Sequence, residues 1–312
     1  MKAIEAPGLP YIDGDLCISC GACAAVCPDR ILQIEATEGT ADGGAGRVVI
    51  TGERCMQCGH CYAVCPVEAI ATPFLENRLD LVSDRAINNT AARSLFALMR
   101  NRRSCRSFKT DALEQALLKD LVTAGITAPS GTNSQGWEFV VLAERQDVVA
   151  LGAATADYYR RLNRQAASPL LRFLLRLFGN DGLQNYYRNY YQTIENGLRD
   201  WDHHGVDRLF HGAPAAIVVA GSRGASCPAE DALLATQNML LVAETVGLGS
   251  CLIGFVVEAA RRDRSICRLL GLSRDEHIYA VIALGYPDVA FLRPAGRKPK
   301  HARFVKLTDI GL

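Results

Sequence analysis

The chain has 312 residues, a length that as a prior accommodates about two domains. With 49% hydrophobic and 21% charged residues it has the make-up of a folded protein, which excludes wholesale disorder. Lys plus Arg number 34 against 33 Asp plus Glu, so there is neither the basic excess of a nucleic-acid binder nor an acidic tail.

Residues 1–7 lack a charged segment followed by an apolar one, so no signal peptide is expected and the cytoplasm is the expected location. Cysteine is the first informative residue: eight of the 12 fall within the first 65 positions. Without a secretion signal that density favours metal over disulfides. Cys17, Cys20, Cys23 and Cys27 precede Pro28, and Cys55, Cys58, Cys61 and Cys65 precede Pro66. Both blocks read C-x-x-C-x-x-C-x-x-x-C-P, with each cysteine of the second 38 positions after its counterpart, an internal repeat.

This repeat resembles the bacterial two-cluster ferredoxins. In their pattern, three thiolates of one run and the last thiolate of the other hold each [4Fe–4S] cluster. The resemblance implies one cluster on Cys17, Cys20, Cys23 and Cys65, and another on Cys55, Cys58, Cys61 and Cys27. Two-residue gaps in a tight loop turn successive side chains inward toward a cubane, and Gly21 and Gly59 stand where a Cβ would crowd the cluster or the turn. Each proline is expected to end the loop and direct the chain into the next short helix. Two structural zinc sites are the alternative, although zinc usually draws its four ligands from two separated pairs. The Gly-rich stretch 38–47 reads as a longer hairpin or loop between the halves.

A connector at 76–90 separates this domain, residues 1–75, from a second at 91–312. In the second, residues 112–126 have helical apolar spacing, with Leu113, Ala116, Leu117, Leu121 and Val122 on one side and Asp111 as N-cap. Runs at 137–143, 215–220 and 278–284 read as strands, and 229–246 as a long apolar helix. The apolar stretch 232–257 is interrupted by Gln237, Asn238 and Glu244 and makes a poor membrane span, so no membrane partner is expected. The pattern is α+β rather than regular βαβ.

Three motifs carry the chemistry of this half. Arg102-Arg103-Ser104-Cys105-Arg106-Ser107-Phe108 gathers guanidinium forks matched to a phosphate dianion, with the Ser104 hydroxyl as a further donor. Ala128-Pro129-Ser130-Gly131-Thr132-Asn133-Ser134-Gln135-Gly136-Trp137-Glu138-Phe139 is a small polar loop between helix and strand. Gly131 permits close backbone approach, and Asn133 and Gln135 can bond a polar cofactor edge. The third is the Gly-rich segment at 245–254 that follows the long helix.

Together these stretches resemble the nitroreductase family of FMN enzymes, over about 94–299. The resemblance implies a mixed sheet with surrounding helices and an FMN phosphate held by Arg102, Arg103, Ser104 and Arg106. It further implies contacts from Pro129, Ser130, Gly131, Asn133 and Gln135 to the ribityl chain and ring, and Ile253 and Gly254 as neighbours of the flavin N5. Gly136 departs from the proline many members carry there. Ala283-Leu284-Gly285-Tyr286-Pro287 matches the family's late strand-to-turn segment. Arg297 lies where the family returns a basic side chain to the phosphate, with Lys298 as rival and a mobile cationic tail as the plain reading.

Residues 158–212 exceed what a compact member needs and hold Tyr158, Tyr159, Tyr186, Tyr187, Tyr190, Tyr191 and Trp201. The tyrosines individually read as packing residues, and the segment as a whole as a helical lid. His203 and His204 are surface or lid residues, since adjacent histidines diverge on a helix. Cys105, Cys227, Cys251 and Cys267 share no motif spacing and default to buried free thiols. No catalytic acid or nucleophile is nominated. The combined resemblance implies an oxidoreductase passing electrons from ferredoxin or NAD(P)H through the clusters and FMN to a small nitro, quinone or enone acceptor, in a homodimer. An electron carrier without its own substrate and a flavin reductase are the alternatives.

Overall fold

The computed structural model describes residues 8–35, 46–76, 80 and 82–306. Residues 1–7 and 38–45, on which the leader and inter-repeat loop expectations rest, lie outside the described residues, as do 77–79 and 81 of the connector. The chain forms two compact units, Met1–Asn101 with Val289–Leu312, and Arg102–Asp288. The chain's end therefore joins the N-terminal unit, whereas the sequence grouped it with the second domain.

In the first unit, β1 (Tyr11–Ile12), α1 (Ala22–Ala25), β2 (Leu32–Glu35), β3 (Arg47–Ile50), α2 (His60–Val64) and β4 (Ile70–Ala71) follow one another. β1 pairs with β4 and β2 with β3, both antiparallel. The pair Ile12–Ile70 becomes the pair Ile50–Leu32 when each residue is moved by the 38-residue repeat, so each ribbon takes one strand from each half. α1 and α2 lie inside the cysteine motifs, before Pro28 and Pro66, which corrects the expectation of a helix after each proline. After each proline the chain turns into β2 or β4 instead. Gly21 and Gly59 start the two helices with φ of 75° and 69°, conformations that a Cβ would strain. A Cβ on Gly21 would also meet Ile34 Cδ1 at 2.8 Å.

Two further helices, α3 (Asp84–Ile87) and α4 (Thr90–Asn101), complete the N-terminal part of this unit. The returning C-terminal segment clamps α2. Leu292 N–H donates to Ala63 O at 2.9 Å, and Arg293 donates to Tyr62 O at 2.8 Å and Cys65 O at 2.7 Å. Phe291 packs on His60, with ring centroids 5.2 Å apart. Val289 and Phe291 extend a core built on Ile31, Leu32, Val48, Val64 and Ile70. A core this small needs such additions.

The second unit contains α5 (Gln115–Gly125), β5 (Trp137–Leu142), α6 (Arg145–Ala167), α7 (Pro169–Leu177), α8 (Gly182–Asn189), α9 (Tyr191–His204), β6 (Ala215–Ser222), α10 (Pro228–Thr245), β7 (Gly249–Leu252), α11 (Gly254–Arg262), α12 (Arg264–Leu269) and β8 (Glu276–Gly285). The sheet order is β5-β6-β8-β7 with every strand pair antiparallel. Its parallel component is an isolated bridge between Ser104 and Ser250.

Seven consecutive residues of β6, from Ala215, are buried because helices cover both sheet faces. On one side Ile217, Val219, Ile282 and Leu284 meet Leu118 and Leu121 of α5 and Met239 and Leu240 of α10. α6 and α11 lie on the other. Each fully buried aliphatic side chain here contributes about 1.5–3 kcal/mol.

Helix α5 starts three residues later than expected, with Glu114 at the N-cap and no side-chain cap bond, so Asp111 does not cap it. Leu113, drawn into the core, keeps the preceding chain extended. Leu118 takes the inward place assigned to Leu117, and Ala116 is exposed. The stretch 249–252, expected as part of a turn, is an edge strand.

The segment 158–212 is helical from the end of α6 to the end of α9. Tyr158 and Tyr159 are buried in it, and Tyr159 donates to Phe255 O at 2.9 Å. Tyr190 is 51% exposed, so the tyrosines divide between packing and surface. His203 and His204 are exposed at the end of α9. Among the described residues no helix is long and apolar enough to cross a membrane.

Candidate functional site

The crossed cysteine sets line two cavities in the first unit. One is bounded by Cys17, Cys20, Cys23 and Cys65 together with Ile12, Val48 and Ile70. The other is bounded by Cys27, Cys55, Cys58 and Cys61 with Ile31, Leu32 and Phe74. In each, three cysteines of one run are brought together with the last cysteine of the other, because the strand exchange carries Cys27 and Cys65 across the pseudo-two-fold.

Main-chain N–H groups point at the sulfurs: Gln57 N–H at Cys55 Sγ and Ala69 N–H at Cys65 Sγ, both at 3.3 Å. Burial, reinforced by neighbouring thiols, pushes Cys23 up to about 11 and Cys61 up to about 12; Cys55 is raised by burial, with Cys58 and Asp29 adding. Such thiols do not ionise unaided near neutral pH, and a cationic iron core supplies the charge that would let them. Among the described residues no three His, Cys, Asp or Glu side chains converge on one point as ligands of a single ion. Two runs with gaps of two and three residues fit a cubane better than zinc, which usually draws its four ligands from two separated pairs.

In the second unit the segment 102–109 is stitched to the sheet edge. Cys105 N–H donates to Ser250 O at 2.8 Å and Lys109 N–H to Tyr286 O at 2.9 Å. Gly249 and Gly285 make the approach feasible: a Cβ on the first would lie 2.8 Å from Cys105 Sγ, and on the second 2.9 Å from Phe108 Cδ1. Arg103 is 8% exposed, and Arg102, Ser104 and Arg106 are half-buried.

Two titratable neighbours register the field of these arginines. The Glu244 carboxyl, at the end of α10, is raised by burial and partly restored by Arg102 and Arg103. His211 is held down to about 4 by burial and by the Arg106 charge, with Asp207 partly opposing, so it is neutral beside Arg106. Arg102 and Arg103 thus act on the Glu244 carboxyl and Arg106 on His211, so the cationic motif lies at one edge of this unit.

The loop 129–136 is held in strained form. Thr132, Asn133 and Gln135 have φ of 52°, 54° and 48°, the left-handed region that non-glycine residues rarely adopt. The anchor is Asp231, 3% exposed in the first turn of α10. Its Oδ1 accepts Gly131 N–H at 2.8 Å and its Oδ2 accepts the Ser134 hydroxyl at 3.2 Å. Ser130 Oγ accepts Gln135 N–H at 3.0 Å, and Gln135 Nε2 donates to Asn133 Oδ1 at 2.9 Å. Pro129, Asn133 and Gln135 are exposed, while Ser130 and Gly131 are half-buried. Asp231→Ala is expected to lower unfolding stability by at least about 1.5–3 kcal/mol, the cost of one bond to a charged acceptor, since two are lost, and to weaken flavin binding. Denaturant unfolding and flavin titration of the same variant check both.

Of the two residues nominated near N5, Ile253 is buried and its N–H is already donated to Val281 O at 2.8 Å. Gly254 is exposed at the first position of α11. Arg297 lies in the first unit, where its main chain pairs with Glu76 and its guanidinium donates to Ala295 O and Gly296 O at 3.2 and 3.1 Å. Lys298 is exposed beside it. Cys105, Cys251 and Cys267 are buried as expected, but Cys227, at the N-cap of α10, is exposed. Asp231, Glu244 and His211 were not singled out from the sequence, where a first-turn acid and an isolated histidine carry no distinguishing signal.

The family model described as the nitroreductase family matches residues 99–286, and one described as a 4Fe-4S dicluster domain matches 16–69. An NADH dehydrogenase of Thermus thermophilus is 28% identical over 187 residues, covering 60% of this chain and 83% of the relative. A 4-nitrobenzoate reductase of Nocardioides is 27% identical over 208 residues, covering 62% and 80%. The structure of a nitroreductase with bound FMN from Bacteroides fragilis aligns with a TM-score of 0.48 at 20% identity, over 68% of this chain and 98% of that one.

Proposed function

The chain belongs to the nitroreductase family, and from that premise we propose that it is an FMN-dependent oxidoreductase supplied with electrons through two [4Fe–4S] clusters. When bound, the clusters exchange single electrons, and the flavin accepts one or two and delivers a hydride equivalent. Cys17, Cys20, Cys23 and Cys65 hold one cluster, and Cys27, Cys55, Cys58 and Cys61 the other. Arg102, Arg103, Ser104 and Arg106 bind the FMN phosphate. Ser130, Gly131, Asn133 and Gln135, braced by Asp231, line the ribityl chain and ring with Pro129, and Gly254 supplies the N–H facing N5.

The acceptor is a small organic molecule of the nitro, quinone or enone class, and the donor ferredoxin or NAD(P)H. The relative named 4-nitrobenzoate reductase supports the first choice and the one named NADH dehydrogenase the nicotinamide donor. The chain acts as a homodimer, a reading supported by the apolar face of α7, where Leu170, Phe173, Leu174 and Leu177 are exposed. One observation carries the proposal: a single polypeptide holds two four-cysteine cages and, in its second unit, an arginine motif whose Arg103 is buried.

Anaerobically purified protein is expected to contain about eight irons and eight sulfides, from two cubanes, with one flavin per chain. Reduced ferredoxin or NADPH should bleach the flavin, and a nitroarene should reoxidise it with formation of a reduced product. Exchange with protein partners but no product from any small acceptor would leave an electron carrier instead.

A further inference from the structure

The two cages are related by the 38-residue repeat, so a wall residue of one has a counterpart in the other. Most are matched in kind: Ile18 with Met56, Ala69 with Ile31, Ile70 with Leu32. Three polar residues of the second wall have apolar counterparts. Asp29 corresponds to Val67, His60 to Ala22 and Thr72 to Ile34.

Thr72 is the informative one. It is 3% exposed, it lines the cavity of Cys27, Cys55, Cys58 and Cys61, and its hydroxyl has no hydrogen-bond partner among the described residues. Its carbonyl accepts Leu75 N–H at 2.9 Å, so the surrounding main chain is satisfied while the side chain is not. Burying a hydroxyl without a partner is unfavourable, and folded proteins rarely do it without an occupant to receive the proton. Asp29 differs, being exposed and accepting Met56 N–H at 2.6 Å.

We infer that the Thr72 hydroxyl donates a hydrogen bond to a sulfur of the group held by Cys27, Cys55, Cys58 and Cys61, and thereby raises the reduction potential of that cluster alone. The inference rests on the proposed reading of the cages as [4Fe–4S] sites. Reduction adds one electron from the donor to the cluster, no bond is made or broken, and Thr72 keeps its proton. A donor fixed at a sulfur stabilises the more negative, reduced state more than the oxidised one, which is an established lever on cluster potentials. Asp29 pulls the same potential down, weakened by solvent. At the positions corresponding to Thr72 and Asp29 the first half of the repeat has the apolar Ile34 and Val67.

The test is an anaerobic redox titration of the full chain, followed by electron paramagnetic resonance, with iron and sulfide counted on the same sample. Thr72→Val is expected to make one cluster about tenfold harder to reduce, about 59 mV for a one-electron couple, and to leave the other unmoved. Thr72→Ser should restore the parent value, and Asp29→Asn should move the same cluster upward. Thr72→Val that left both potentials in place, or shifted both alike, in protein with its full complement of iron would overturn this inference alone. A parent chain without iron would overturn the cage reading and this inference with it.

Discussion

Cys17→Ser combined with Cys65→Ser should leave the protein with about four irons, whereas Cys17→Ser combined with Cys27→Ser should leave it with essentially none. Both doubles remove one cysteine from the first run's opening position and one closing cysteine. They differ only in which closing cysteine goes. Cys65 borders the cavity of Cys17, Cys20 and Cys23, so the first double damages one cage twice. Cys27 borders the other, so the second double damages each cage once. Ligation within each run would reverse the two outcomes. Iron and sulfide analysis after anaerobic reconstitution reads the difference, and two lesions in one cage should be far from additive. Cluster binding is also folding free energy for so small a unit. The second double should therefore lose cooperative unfolding of that unit, while the segment Arg102–Asp288, with its own core, retains its transition.

How far the sequence disclosed all this depends on the range of the determinant. The cysteine runs were legible because a cubane cage is set mostly by gaps of two or three residues. The strands 137–143, 215–220 and 278–284 were legible because burial on both faces makes β6 and β8 continuous apolar runs. Helix α5 was found but started too early, since Asp111 is an adequate cap in isolation and the burial of Leu113 is a tertiary demand. The return of residues 289–297 to the cysteine unit had no local signature. Phe291 and Arg293 act on His60, Tyr62 and Cys65, more than two hundred positions away in the chain. That contact also explains why Arg297 lies with the first unit. The arginine motif was visible as a motif, but Glu244 and His211 beside it were not, because only folding brings the end of α10 and the turn after α9 to that edge.

Arg103→Ala should weaken FMN binding by about 30-fold or more while leaving riboflavin binding nearly unchanged. Arg103 is buried, and removing one member of a desolvated, hydrogen-bonded charge pair costs about 2–5 kcal/mol, with 1.4 kcal/mol corresponding to a factor of ten. Arg102→Ala and Arg106→Ala should cost less, since both side chains are half-buried and solvent screens what they contribute. Arg103→Lys should not restore the parent affinity, because a single ammonium cannot reproduce two parallel donors to one phosphate. Riboflavin is the control that separates the roles. It shares the ring and ribityl chain with FMN but lacks the phosphate, so a variant that merely disturbed the sheet edge through Cys105 and Ser250 would lose both ligands together. Flavin fluorescence titrations of the apoprotein with each ligand give the ratio directly. Equal losses for FMN and riboflavin, in a variant that still unfolds cooperatively, would assign Arg103 to the scaffold and move the phosphate elsewhere. An FMN-to-riboflavin affinity ratio that collapses toward one in the variant assigns the dianion to the guanidinium group of 102–106.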